Sequence, residues 1–148
     1  MKPFSFRLQK VLRYRAHLEK RVHLQLCEAA GKVKDQERRI VELGEARANA
    51  AVRLADEREK GIRACRDQIH ASFVHGLAER ITAEGRELEK RLERLDRVRN
   101  LLSMAAKKKK SLESLKEVQL ARFNEERERM EQKLLDDLVV MTRKKGEP

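Results

Sequence analysis

The sequence predicts an all-α fold in which two long helices form an antiparallel coiled-coil hairpin. Apolar residues recur every third or fourth position along most of the 148 residues, which is the spacing of one helix face. The composition is 41% charged and only 3% aromatic, too polar to fill a globular core. High charge is also typical of disorder, but 40% of the residues are hydrophobic. That proportion, at helical spacing, favours a coiled coil.

The first helix is expected over residues 5–62, with Ser5 as its N-cap and Phe4 packing as a hydrophobic staple. Its apolar stripe comprises Phe4, Leu8, Val11, Leu18, Val22, Leu26, Ala29, Val33, Ile40, Leu43, Ala50 and Leu54. Polar side chains interrupt this stripe at Arg15, Gln36 and Arg47. The stripe nevertheless predicts one helix face that packs against a partner helix.

The stripe lapses once, over residues 61–70, where Gly61 is a natural helix terminator. Two architectures are compatible with one lapse near the middle of the chain. A hairpin that turns near residues 61–66 lets a monomer bury both stripes against each other. A continuous helix about 200 Å long requires a second chain as its partner. The single central lapse favours the hairpin, with the turn at about 61–70.

The second helix is expected over residues 69–143, followed by a short basic tail at 143–148, so that residues 1–148 form a single coiled-coil domain. Its stripe contains a repeat of seven residues. The repeat comprises Ile81, Leu88, Leu95 and Leu102. Since the two arms are unequal, the C-terminal helix is expected to extend past the N-terminus by about 15 residues, or 20–25 Å.

The net charge of +11 suggests an acidic partner. It is divided evenly between the halves of the sequence: residues 1–62 carry 15 basic and 9 acidic side chains, and residues 63–148 carry 21 and 16. An even distribution is unlike the basic arm of a nucleic-acid-binding protein, and no nucleic acid is expected as a partner. The runs Lys107–Lys110 and 143–145 are interpreted as solvated helix faces.

No motif for catalysis is present in the sequence, and the chain is not expected to be an enzyme. It contains neither GxxxxGK[ST], HExxH nor GxSxG, and a two-helix hairpin offers no concave pocket. No cofactor or metal is expected, because the four histidines include no pair three or four residues apart. No stretch approaches the length of a membrane span or resembles a signal peptide, so a cytoplasmic location is expected.

Aromatic side chains are the remaining candidates for binding. Phe73 follows the lapse and has two interpretations, a core side chain near the hairpin tip or a docking anchor for a partner. Phe4, Phe6 and Tyr14 lie together near the N-terminus, where packing at the helix end is the alternative to partner binding.

The N-terminal segment Phe4-Ser5-Phe6-Arg7-Leu8-Gln9-Lys10-Val11-Leu12-Arg13-Tyr14-Arg15 resembles the opening of the flagellar FliJ family, F-x-F-x-L-x-x-V-L-x-x-R. Phe73, Leu77 and Ile81 are similar to the family's F-x-x-x-L-x-x-x-I stretch after the turn. The segment 133–137 and the basic residues 143–145 are similar to the family's terminus. The resemblance extends over the whole chain.

The resemblance implies a non-catalytic stalk of the flagellar type III protein export apparatus, required for flagellum biogenesis and motility. It further implies that the end carrying both termini enters the hexameric export ATPase, and that the chain contacts export chaperones and the cytoplasmic domain of the membrane export gate. The implied ATPase-binding residues are Phe4, Phe6, Leu8, Val11, Leu12 and Arg15, facing Met130, Leu134, Leu138 and Met141. The implied gate-binding residues are Gln36, Ile40, Leu43, Phe73 and Leu77. The family often has a tyrosine near Arg47 or Asn49, which this chain lacks.

This hypothesis places a monomer in the cytoplasm, peripherally associated with the inner-membrane export apparatus of a flagellar or virulence-type system. Two alternatives stay open at the level of sequence. One is a basic coiled-coil protein that binds nucleic acid or the ribosome, whose binding would weaken steeply with salt. The other is a homodimeric structural spacer, which the mass in solution would distinguish from a monomer of 17.3 kDa.

Overall fold

A computed structural model describes residues 2–144 of the chain, and all of its regular structure there is helical. Helix α1 comprises Gln9–Lys60 and helix α2 comprises Ala64–Lys144. The two long helices pack against each other, which confirms the predicted all-α fold. Residues 145–148 of the predicted basic tail lie outside the described residues.

Tertiary contacts divide the chain into two compact units. We call Arg21–Ser103 the turn unit and Met1–Lys20 with Met104–Pro148 the terminal unit. Each unit consists of a segment of α1 and a segment of α2.

Side chains of the turn unit pack in an antiparallel arrangement around one small apolar core. Ala29, Val33 and Leu95 are buried together, with Leu26 and Leu88 packed against them. The sequence repeat of seven therefore identified two residues of this seam correctly, Leu88 and Leu95. Leu54, Leu77 and Val98 are the other buried apolar residues of the turn unit.

The turn is shorter than the sequence predicted. Residues 61–63 connect the helices, and Gly61 has φ of +86°, the left-handed conformation that glycine adopts readily after a helix. Helix α1 ends at Lys60 instead of residue 62, and α2 begins at Ala64 instead of residue 69. The prediction failed because an apolar stripe reports which side chains are buried, whereas the first turns of α2 are helical but mostly solvated.

The start of α1 also differs from the prediction. Ser5 is not its N-cap, because the helix begins at Gln9 and the main-chain N–H of Gln9 donates to the carbonyl of Phe6 at 3.0 Å. Phe6 is 6% exposed, and the ring of Phe4 contacts that of Phe123 with centroids 5.6 Å apart. In a helix, residues 4 and 6 would project about 200° apart. A non-helical segment allows both rings to pack, and this packing outweighs the local capping preference.

Candidate partner-binding surfaces

The C-terminal part of α2 is the most exposed helical segment of the terminal unit. Every residue from 125 to 143 is exposed, a length of about 28 Å at 1.5 Å per residue. The exposed segment therefore exceeds the expected 15 residues. Its apolar members are Met130, Leu134, Leu135, Leu138, Val139, Val140 and Met141. Large apolar side chains in contact with water are favourable to bury, so this segment is a candidate surface for a protein partner.

The N-terminal candidates are not opposite that segment. The predicted contact between them and Met130, Leu134, Leu138 and Met141 is wrong, because Phe4 lies beside Phe123 and the residues from 125 onward are exposed. The reason is register: each residue of one helix has a fixed opposite in an antiparallel pair. Phe4 precedes α1 and lies beside Phe123, and only residues 2 and 3 come before it among the described residues, so this end of the chain stops short of Met130.

Candidates at the N-terminus divide into buried and exposed groups. Phe6 and Leu12 are buried, and Phe4 and Arg15 are half-buried. Leu8 and Val11 are partly exposed, at 38% and 41%. Phe6 and Leu12 therefore stabilise the terminal unit, whereas Leu8 and Val11 are accessible to a partner.

A charged contact holds the two helices of the terminal unit together beside these residues. Lys109 Nζ lies 2.8 Å from Glu19 Oε2 and 3.7 Å from Glu113 Oε1. The hydrogen bond to Glu19, followed by the charge of that carboxylate, raises the pKa of Lys109 above its ordinary value. Within the run Lys107–Lys110, Lys109 therefore stabilises the packing of the two helices.

An open groove of about 630 Å³ lies in the turn unit, near the connection between the helices. Its large apolar side chains are Phe73 and Ile69 of α2, which are 59% and 68% exposed. Ala46 and Ala50 line the groove from α1. The interpretation of Phe73 as a core side chain is therefore wrong. Small side chains on α1 leave the ring without a close partner, so it is available as a docking anchor.

Polar groups form one end of this groove. Arg53, Glu57 and His70 line it together with Asn49. His70 Nε2 lies 3.5 Å from Glu57 Oε2, an ion pair when the imidazole is protonated. That carboxylate oxygen is buried and accepts no hydrogen bond among the described residues. The groove is thus lined by both apolar and charged side chains, which suits an amphipathic protein segment.

The predicted gate-binding residues occupy different environments. Phe73 is exposed in the groove, and Ile40 and Leu43 are half-buried. Gln36 and Leu77 are buried between the helices of the turn unit, at 1% and 5% exposure. A partner can reach Phe73 without rearrangement, whereas Gln36 and Leu77 support the fold beneath it.

An ion pair between Arg58 and Asp67 spans the turn. Arg58 donates two hydrogen bonds to the carboxylate of Asp67, one of them from Nη2 to Oδ2 at 3.2 Å. The bond from Arg58 lowers the pKa of Asp67 below its ordinary value, and the same contact raises the pKa of the guanidinium. The pair joins the last turn of α1 to the first turn of α2.

Sequence reasoning missed several functional candidates that the structure presents. Ile69 was placed in the lapse, although it lies one helical turn before Phe73 and lines the same groove. Leu135, Val139 and Val140 were also missed, because they fall outside a single stripe. Pairs of adjacent apolar residues in a polar chain could have indicated these exposed side chains, because one narrow helix face cannot bury both members of such a pair.

A comparison with protein families supplies the decisive observation. The family model described as "Flagellar FliJ protein" matches residues 4–147, nearly the whole chain. The chain belongs to the flagellar FliJ family. The resemblance inferred from the N-terminal segment is thereby confirmed. No curated protein and no solved structure matches the chain.

Membership of the FliJ family implies a protein related to flagellar export. The family is known as a non-enzymatic structural or chaperone-related component, and its coiled-coil helical hairpin agrees with the two packed helices found here. Neither α1 nor the described part of α2 has a segment long and apolar enough to cross a membrane.

Proposed function

We propose that this FliJ-family protein is the non-catalytic stalk of the type III export apparatus and that its terminal unit inserts into the hexameric export ATPase. The exposed apolar segment of α2, residues 125–143, is the observation that carries the proposal. A stalk within a ring needs a surface that its own fold does not bury, and this segment provides one. Leu8, just before α1, and Val11, on α1, are exposed and extend the proposed contact.

A stalk alters ATP turnover only if it contacts the ring's subunits unequally. A ligand shifts an equilibrium between conformations by its difference in affinity for them. The apolar residues of the segment include consecutive ones, such as Leu134 with Leu135 and Val139 with Val140. Different subunits around the helix would therefore meet different side chains. The basic net charge of the chain would speed docking to an acidic lining.

The proposal is tested by the ATPase activity of the purified cognate ring with and without the protein. We expect stimulation by the native chain and its loss in the double variant Leu134→Ser/Leu138→Ser. The matched control is Leu24→Ser/Val52→Ser, which removes two exposed apolar side chains from the turn unit. Absence of stimulation by the native chain contradicts the stalk role. Equal loss in both variants contradicts the assignment of the contact to this segment.

For the membrane export gate, we propose that its cytoplasmic domain binds the groove around Phe73. An exposed aromatic side chain next to small residues is a typical binding anchor. Ile69 enlarges the apolar surface, and Arg53 and Glu57 offer charged partners at the other end. Gln36, Ile40, Leu43 and Leu77 then contribute mainly by holding α1 and α2 in the spacing that forms the groove.

Capture of the gate's purified cytoplasmic domain tests this second contact. Phe73→Ala is expected to weaken capture at least tenfold, which is typical of an aromatic anchor. Leu101→Ala, at another exposed position of α2, serves as control and should leave capture unchanged. Unchanged capture by Phe73→Ala would place the gate contact elsewhere.

With these proposed contacts, the protein would act in the cytoplasm, held peripherally at the inner membrane by the export apparatus, where it would also exchange export chaperones. The proposed stoichiometry is one chain, since α1 and α2 bury their stripes against each other within each unit. Light scattering should give a mass near 17.3 kDa. A mass of two chains would instead favour a dimeric spacer.

A further inference from the structure

Folding concentrates a positive charge that the sequence distributes evenly. Residues 1–20 carry six basic and one acidic side chain, and residues 104–124 carry six and two. These two stretches belong to the terminal unit and pair with each other, as the contacts of Phe4 with Phe123 and of Glu19 with Lys109 demonstrate. Together they hold +9 of the net charge of +11. We call them the basic band.

The rest of the chain is close to neutral. Residues 21–103 carry 18 basic and 15 acidic side chains, and residues 125–148 carry six and seven. One basic stretch lies in each half of the sequence, which is why the halves have similar net charges, and the terminal unit brings the two stretches together. In the folded chain, most of the excess positive charge therefore lies in the basic band.

Most of the band's basic side chains are exposed on both helices. Lys10, Arg13 and Tyr14 are exposed at the spacing of one face of α1. On α2, Lys107, Lys108 and Lys110 are exposed, and the described residues offer them no ion pair. Lys107 and Lys110 line a shallow recess of about 410 Å³ with Ser111 and Ser114. The Ser111 hydroxyl donates to the main-chain carbonyl of Lys107 at 2.9 Å, so the two lysines and Ser114 are the groups of the recess that can donate to a phosphate group.

We propose that the basic band binds the headgroups of anionic phospholipids at a membrane surface. Lysine clusters attract the negative surface potential of such a leaflet without requiring fixed geometry. Tyr14 is exposed beside Lys10 and Arg13 on α1, and a tyrosine side chain is favourable at the boundary between headgroups and acyl chains.

Other anionic partners fit these observations less well. A single-stranded nucleic acid needs several aromatic platforms for its bases, whereas Tyr14 is the only exposed aromatic side chain described in the band. Fixed carboxylates on a protein are matched best by the planar fork of arginine, but the exposed run of α2 consists of lysines. A lipid surface supplies mobile phosphates and an apolar layer together, which suits this mixture.

The test is binding of the full-length protein to vesicles, measured by sedimentation at about 0.1 M salt. We expect binding to phosphatidylcholine vesicles that contain about 30% phosphatidylglycerol, none to phosphatidylcholine alone, and progressive release as salt increases. The variant Lys107→Gln/Lys108→Gln/Lys110→Gln should lower the partition coefficient by on the order of 100-fold, at roughly fivefold for each basic side chain.

The matched control removes the same charge from the turn unit. Lys34→Gln/Arg47→Gln/Lys90→Gln changes three exposed basic residues outside the band and should retain at least a third of the native partition coefficient. Circular dichroism of both variants verifies that each remains as helical as the native chain. Comparable losses in the two variants would overturn the assignment to the band, because net charge alone would then explain binding.

Two further outcomes would overturn the proposal: no binding to the anionic vesicles, or tighter binding to a random DNA duplex than to those vesicles at equal salt. The second result would identify a nucleic-acid surface. The vesicle assay contains no ATPase ring, so its result is independent of the stalk role, and either proposal can fail while the other stands.

Discussion

Gln36 of α1 donates a hydrogen bond from Nε2 to the main-chain carbonyl of Glu84 on α2, at 2.9 Å, and a second to the carboxylate of the same residue. At 1% exposure it is the most deeply buried side chain of the described chain. Its Oε1 is buried without a hydrogen-bond partner among the described residues. A polar residue in a coiled-coil seam fixes register at some expense of stability, and this contact ties position 36 to position 84.

The contact predicts opposite effects for two substitutions of Gln36. Gln36→Ala should lower the free energy of unfolding by about 1–3 kcal/mol, because it leaves a gap and removes the donor. Gln36→Leu should raise it, because an apolar side chain fills the site and eliminates the unsatisfied oxygen. Urea denaturation measures both changes. If Gln36→Leu lowers the free energy of unfolding as much as Gln36→Ala does, the stabilisation by the hydrogen bonds exceeds the cost of the unsatisfied oxygen, and the prediction is wrong.

The small core of the turn unit predicts a large effect at Leu95. Leu95→Ala should lower the free energy of unfolding by about 2–5 kcal/mol, as is usual for a buried leucine. Leu101→Ala, at an exposed position six residues further along α2, should change it by no more than about 0.5 kcal/mol. Similar effects at both positions, measured by urea denaturation, would contradict the observed helix register.

Two glycines provide a matched test of the turn. Gly61→Ala should destabilise the protein by about 1–2 kcal/mol, because φ of +86° places Cβ against the following carbonyl. Gly76→Ala should stabilise it by about 0.5–1 kcal/mol, since Gly76 is inside α2 and a Cβ there meets open space. Melting temperatures followed by circular dichroism would give both signs. Stabilisation by Gly61→Ala would show that residue 61 does not have the left-handed conformation that the prediction assumes.

The ion pair across the turn predicts a pH-dependent effect of Asp67→Asn. Because Arg58 lowers the pKa of Asp67 from its ordinary 3.8, the carboxylate stabilises the folded state above that value and loses this contribution as the pH falls through the folded pKa. Asp67→Asn should therefore lower the melting temperature near pH 7 and have progressively less effect below about pH 4.

The control for this variant is Asp96→Asn. Asp96 contacts Arg99 on its own helix at 3.4 Å and does not join α1 to α2. The melting temperature of Asp96→Asn should differ little from that of the native chain, both near pH 7 and below about pH 4. A pH-independent effect of Asp67→Asn would indicate lost helix capping or packing instead of a lost charge pair.

Much of the fold was predictable because helical periodicity depends on local geometry. Every third or fourth side chain of a helix lies on the same face, so Leu88 and Leu95 could be assigned to the seam before the structure was known. Gly61 could be assigned to the turn for a similar reason, since a left-handed residue after a helix is most often glycine.

Partner surfaces were predictable only in part. The family resemblance selected Phe73 and Leu134, which are exposed, but it also selected Gln36 and Leu77, which are buried. A helical stripe contains residues that face the other helix and residues at its margin, and periodicity does not distinguish them. Ile69 was missed because its neighbours break the stripe.

By itself, the sequence determined that the chain forms two helices with one break, and it determined the family, because these depend on local spacing and on a short N-terminal motif. Only the tertiary structure decided which residues face each other: Phe4 beside Phe123, Gln36 against Glu84, and two basic stretches joined into one band. The physical reason is that register depends on the packing of side chains distant in sequence. No local pattern encodes which apolar residues remain in water after that packing is complete.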